Sequence, residues 1–324
     1  MSRLLFFVKR VLQGIVVILL IAVINFFLVR AAPGDPVSVL AGEAGASDPM
    51  FVEQLTRHFG LDKPLPEQLA TYMLHVVQLD LGQSYRQGQP VLTLIVDRLP
   101  ATLLLTVTAL IVSLIVGVFL GAASSMRRGS LVDTLISLLS LVFYAMPLFW
   151  LGLMLVLLFS VHLDWLPGFG YETVGGAATG WARAIDIGRH LVLPVVTLAS
   201  FYVAIYARMT RTSMLEVNQM DFVKTARAKG LSPMRILTHH VMRNALLPVL
   251  TLAGIQAGAI VGGTVLVETV FAWPGIGRLM FDSLMQRDYN LLLGSFLFTA
   301  ALAVFFNILT DLAYTIVDPR IQLK

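Results

Sequence analysis

The chain contains no cysteine. Disulfide frameworks, thiolate zinc sites and cysteine nucleophiles are therefore excluded outright. Charge is also scarce: 13% of the 324 residues are charged against 57% hydrophobic. That balance is too apolar for a soluble domain and typical of a chain whose main solvent is lipid. Catalytic signatures are missing as well. No Gly-rich run leads into Lys and Ser or Thr, and none of the five lysines has a phosphate-cradling context, so the chain is not expected to hold ATP itself. The histidines at 58, 75, 162, 190, 239 and 240 form no His-Glu-x-x-His pattern, and the adjacent His239 and His240 point to different helix faces. No Gly-x-Ser-x-Gly elbow occurs, and there is no repeat of fixed period. The net charge of +4 would suggest nucleic acid only on a folded domain with a basic face, whereas here the basic residues sit between apolar runs.

Those runs are the dominant feature. The N-terminus opens like a secretory signal, with Arg3, Lys9 and Arg10 ahead of an apolar stretch, but residues 11–29 are interrupted only by Gln13, Gly14 and Asn25. About 20 helical residues cross a hydrocarbon core of about 30 Å, so this stretch reads as a retained first span. Five more runs have the required length and apolarity: 99–124, 131–160, 190–210, 248–271 and 293–317. The fold class expected is thus all-α, a polytopic membrane protein with six transmembrane helices. Ser130 and Asp133 suit the start of the third span, Pro100 the first turn of the second, and Pro147 is expected to kink the third.

With the N-terminus placed in the cytoplasm, 14 of the 23 basic residues and only five of the 19 acids fall on that side. The positive-inside bias thus puts both termini in the cytoplasm. The long external connection 30–98 carries a short helix ending near Gly60 and an amphipathic helix over 66–78, with Leu69, Met73, Val76 and Val77 at helical spacing. The external loop 161–189, with Pro167, Gly168, Gly170, Gly175 and Gly176, reads as irregular covering structure.

The most informative stretch is the cytoplasmic loop 211–247. Asn218 is placed to cap a short helix, Asp221 lies beside its positive end, and Gly230 supplies the left-handed residue that stops it. Phe222, Thr225 and Ala226 offer a small apolar ridge flanked by Lys224, Arg227, Ala228 and Lys229. A short helix with a narrow ridge can dock in a partner's groove.

Here the sequence resembles the coupling loop of binding-protein-dependent ABC importers, which reads Glu-Ala-Ala, three residues, Gly, then Ile-x-Leu-Pro. This chain has Lys224, Thr225, Ala226, three residues and Gly230, then Leu246, Leu247 and Pro248. The Lys in place of Glu and a Gly-to-Pro distance five residues longer both match the dipeptide, oligopeptide and nickel branch. That likeness extends through APGDP (32–36), FGLDKPL (59–65), LPATL (99–103), ARMTRTSMLE (207–216), FAWPGIGR (271–278), RDY (287–289) and DPRI (318–321). The resemblance implies a type I (MetI-like) permease fold, with an N-terminal helix and external segment over 1–98, a five-helix core over 99–317 and a tail over 318–324. It also implies a second related permease, two cytoplasmic ATPases that bind ATP and Mg, and an external solute-binding protein. This chain would then be a non-catalytic subunit carrying dipeptides or oligopeptides across a bacterial inner membrane. Nickel chelates, glutathione and opines use permeases of the same branch.

Polar groups within the spans are the remaining candidates, because burying a charge in lipid costs a few kcal/mol. Glu268, which Arg278 could pair with, is read first as a structural ion pair and second as a substrate contact on the pathway, while Asp311 and Asn307, one turn apart, leave a gate or a subunit contact open. Gln256 shares a face with Thr264 and is a candidate for the pathway. Gly254, Gly258, Gly262 and Gly263 point first to close helix packing. An ion-coupled secondary transporter, the rival class, should show paired intramembrane charges and inverted repeats. Few midplane charges are present.

Overall fold

The computed structural model describes residues 3–31, 53, 56–57, 62–176 and 179–317. The segment 32–52 and the tail 318–324 lie outside the described residues, as does the short helix expected to end near Gly60 apart from residues 53, 56 and 57, which are helical. Besides a three-residue helical turn at Pro233–Arg235, ten α-helices occur among the described residues: α1 (Arg3–Ala31), α2 (Leu65–Val77), α3 (Val91–Met126), α4 (Leu131–Ala145), α5 (Leu148–Leu155), α6 (Gly180–Val217), α7 (Asp221–Ala228), α8 (Arg243–Val270), α9 (Ile276–Met285) and α10 (Tyr289–Val317). Wider π-helical turns extend α5 over Val156–His162 and lead into α8 over Ile236–Met242.

Among the described residues, four helices are each long and apolar enough to cross a bilayer: α1 over Phe7–Leu28, α3, α6, and α10 over Tyr289–Asp311. The third predicted span is not one kinked helix. Leu131–Ala145 and Leu148–His162 meet at a bend of 107° and add a fifth crossing only if counted as one span. Pro147 explains the break. Its ring forces the preceding residue out of the helical region, and Met146 is extended (φ −78°, ψ 130°), which ends α4 and restarts the chain as α5. The run 248–271 lies on α8, whose 28 residues reach about 42 Å.

Two other boundaries differ from expectation. Pro100 is inside α3 rather than in its first turn, because Val91, Leu94 and Ile95 already pack as helix against Ile276, Leu279 and Leu291. Residues 180–189, read as loop, are the first turns of α6. Ser130 caps α4 as expected, its hydroxyl accepting from the Asp133 N–H at 3.3 Å.

The chain divides into two compact units, residues 1–100 with 274–324 and residues 101–273. Residues 274–317, grouped in sequence with the core, thus cluster with the N-terminal segment. In the first unit α1 runs along α10, close enough that a Cβ on Gly14 would lie 2.6 Å from Val304. The predicted amphipathic helix is present as α2, which lays Val76, Met73 and Tyr72 on Ala22 and Leu297 while Val77 faces outward. Burial there raises the Tyr72 hydroxyl to about 12. A second joint pins residues 82–90 to the start of α10. Buried Asp288 accepts from Ser84 Oγ and from the Leu291 N–H, and Asn290 donates to the Gln83 carbonyl and the Tyr85 hydroxyl. Burial pushes the Tyr85 hydroxyl up, and the nearby Asp288 charge adds to that.

In the second unit α6 is the hub, packing against α4, α5 and α8. Its core is built around Tyr206, Phe271 and Trp273, and the Trp273 indole donates to the Ala101 carbonyl at 2.9 Å. A buried indole needs such a partner.

Candidate functional site

The site lies where α6 runs out. After Val217 the chain turns through Asn218–Met220 and enters α7. Asn218 does not cap α7: Met220 occupies that position, and Asn218 instead closes α6, its Oδ1 accepting from the Arg227 guanidinium. Asp221 stands in the first turn beside the positive helix end, within 2.8 Å of Lys224 Nζ. Thr225 Oγ1 donates to the Asp221 carbonyl at 2.9 Å.

Gly230 ends the helix as expected. It has φ +76°, its N–H donates to the Arg227 carbonyl at 2.9 Å, and the Leu231 N–H donates to the Ala226 carbonyl at 3.3 Å. This is the Schellman pairing, in which a left-handed residue lets the chain satisfy the last carbonyls of the helix.

One face of α7 is buried and the other is open. Val223 and Ala226 are buried among Ala122, Met214, Val217, Ile236, Val241 and Ala245. Phe222, Lys224, Thr225, Arg227, Ala228 and Lys229 are exposed. Ala226 therefore belongs to the inner face, which corrects the predicted ridge: the outward ridge is Phe222 and Thr225, continued by Lys229 one turn on. Beside α7 opens a cleft of about 730 Å³, lined among others by Ser125, Met126, Asn218, Arg227 and Leu237.

Just before α7 lies an ion pair that sequence reasoning missed. Arg211 of α6 forks onto Asp133 of α4, with Nε 2.7 Å from Oδ1 and Nη2 2.9 Å from Oδ2. Ser124 Oγ donates to Oδ1 at 2.5 Å and the Gly129 N–H to Oδ2 at 2.9 Å. Asp133 reads in sequence as an ordinary first-turn acid and Arg211 as one more inside-facing cation. The available signal was an arginine at the start of the basic loop 211–247, together with an acid at the start of an apolar run.

The pathway candidates fall in both units. Glu268 is fully buried and accepts from Thr102 Oγ1 at 2.9 Å, while Arg278 has Asp282 at 3.7 Å. Gln256 is half-buried on α8 and Thr264 is buried. Gly262 faces open space: a Cβ added there would meet nothing within 4 Å, so it makes no close helix contact among the described residues. Gln256 and Glu268 stand about 18 Å apart along α8. Asp311 is 3.0 Å from Arg10, which holds α10 to α1, and Asn307 is exposed one turn away. Among the described residues no cluster of three or more His, Asp or Glu is placed to hold a metal.

The profile of the "binding-protein-dependent transport system inner membrane component" family matches residues 113–323, and that of its N-terminal part matches residues 3–106. The chain belongs to that family. It is 40% identical over 321 residues to the dipeptide transport system permease protein DppB of Escherichia coli K12, covering 94% of both chains. It is also 40% identical over 318 residues to the di/tripeptide transport system permease protein DppB of Pseudomonas aeruginosa, covering 93% of this chain and 94% of the other. In fold it resembles the inward-facing MetNI methionine ABC transporter, with a TM-score of 0.54 at 18% identity over 70% of this chain and 97% of that one. The chain is thus a membrane-embedded permease component of a binding-protein-dependent transporter, with ATPase and solute-binding partners implied by its family.

Proposed function

We propose that the protein is one of two related pore-forming subunits of an ATP-driven importer for dipeptides or oligopeptides in a bacterial inner membrane. α7 is its coupling helix. The observation that carries this reading is the two-faced build of α7, with Val223 and Ala226 held by the permease and the Phe222–Thr225 ridge left open to a partner's groove. ATP and Mg belong to two ATPase subunits, and closure of those subunits around ATP displaces α7 and biases the pore between inward-open and outward-open states. This chain performs no bond chemistry. The basic bias of the side bearing α7 supports cytoplasmic termini.

The peptide substrate is supported by the names of the relatives, aligned over nearly the full chain. A solute-binding protein outside the membrane delivers it. Purifying the tagged chain from its native membrane tests the assembly: a second permease and two ATPases should copurify, and peptide uptake into vesicles should stop on ATP depletion. Recovery of the chain alone in an active, ATP-independent form contradicts the reading. A binding protein that ignores peptides and holds a metal chelate contradicts the substrate.

A further inference from the structure

The Asp133 carboxylate has about four acceptor positions, and all are used. Arg211 supplies two donors, Ser124 a third and the Gly129 N–H a fourth. The donors come from three parts of the molecule: α6, the end of α3, and the turn between α3 and α4. That turn is itself stiff, since Gly129 sits at φ +77° and Ser130 caps α4. The carboxylate therefore ties the ends of three helices to one point, with directions set by a planar fork.

A buried ion pair contributes little net stability compared with a well-packed apolar pair, so stability alone does not account for this one. Position supplies one. Arg211 lies six residues, about 9 Å of helix, before the end of α6, and α7 begins four residues after that end. Met214 and Val217, on this last stretch of α6, touch the buried face of α7. Along α3 the backbones are already clamped, because Gly117 and Gly121 meet Tyr206, Ala207 and Thr210 with no room for a Cβ. The flank of α7 beside Ser125 and Met126, by contrast, borders the open cleft, and only Ala122 of α3 packs into the cluster that holds the buried face of α7.

We propose that the Asp133–Arg211 pair is the joint through which displacement of α7 is passed to α3, α4 and α6 together, making both positioning residues for transport. The inference rests on the reading of α7 as the coupling helix. Without the joint, movement of α7 is absorbed by bending of α6 beyond Arg211, and ATP is hydrolysed without moving the permease helices.

The test uses the whole complex with its ATPases. The chain has no cysteine, so Leu135→Cys on exposed α4 gives it a single attachment point for an environment-sensitive fluorophore, with the partner chains made free of reactive cysteine. ATP with vanadate should change its emission in the otherwise wild-type complex. Asp133→Asn should reduce that change at least fivefold while ATP turnover stays within about twofold. The double variant Asp133→Asn with Arg211→Gln leaves no unpaired charge and should give the same result, so the test does not depend on the single variant assembling. An undiminished signal in the assembled double variant overturns the inference. A complex without Asp133 substitutions that shows neither ATP turnover nor an ATP-driven signal contradicts the coupling reading itself and takes the joint with it. The two failures are distinguished because the second needs no substitution at the joint.

Discussion

Asp133 depends on Arg211 more than Arg211 depends on Asp133. The carboxylate side chain is 7% exposed, whereas the guanidinium side chain is 31% exposed and can be hydrated if its partner is lost. Removing one member of a buried pair costs most when the charge left behind cannot reach water. Arg211→Gln strands the acid and should lower stability by about 3 kcal/mol. Asp133→Asn strands only the partly wetted arginine and should cost less. Thermal unfolding of the two variants in detergent checks the order, and equal shifts would contradict the asymmetric burial. Glu268 makes a related point, because its buried carboxylate finds the Thr102 hydroxyl from a different helix. Neither partner can be named from spacing along the chain, since the pairs join residues 78 and 166 positions apart.

At the scale of elements, α7 separates two kinds of substitution. Val223 is fully buried, so Val223→Asp places an uncompensated charge in the cluster with Met214 and Val217 and should prevent the complex from accumulating. Phe222 is exposed on the opposite side, so Phe222→Ala should leave the level and melting of the isolated permease unchanged and weaken retention of the ATPases on purification at least fivefold. Loss of permease stability in Phe222→Ala would place that side chain in the permease core instead. Much of α7 was legible beforehand: Gly230 marks its end through backbone geometry that only glycine adopts without strain. Its inward face was less legible. A helix of eight residues shows which positions share a stripe, but Ala226 could serve either side until Ala122 and Ile236 are seen against it.

For the whole molecule, sidedness is open to a direct measurement. Single cysteines at Lys229 and Gln87, both exposed, should react with an impermeant maleimide from opposite faces of oriented vesicles, Gln87→Cys from outside and Lys229→Cys only after permeabilisation. Labelling of both from one face would refute the topology drawn from the charge bias.

Apolar length and the run of basic residues determined the membrane character and the approximate spans, because lipid imposes its thickness on any chain that crosses it. Pro147 announced an interruption for the same local reason, although not a bend of 107°. Tertiary structure alone decided which helices share a unit, which face of α7 is inward, and that Ser124, Gly129, Asp133 and Arg211 converge. These are relations between distant positions, set by packing and by the demand that every buried polar atom find a partner.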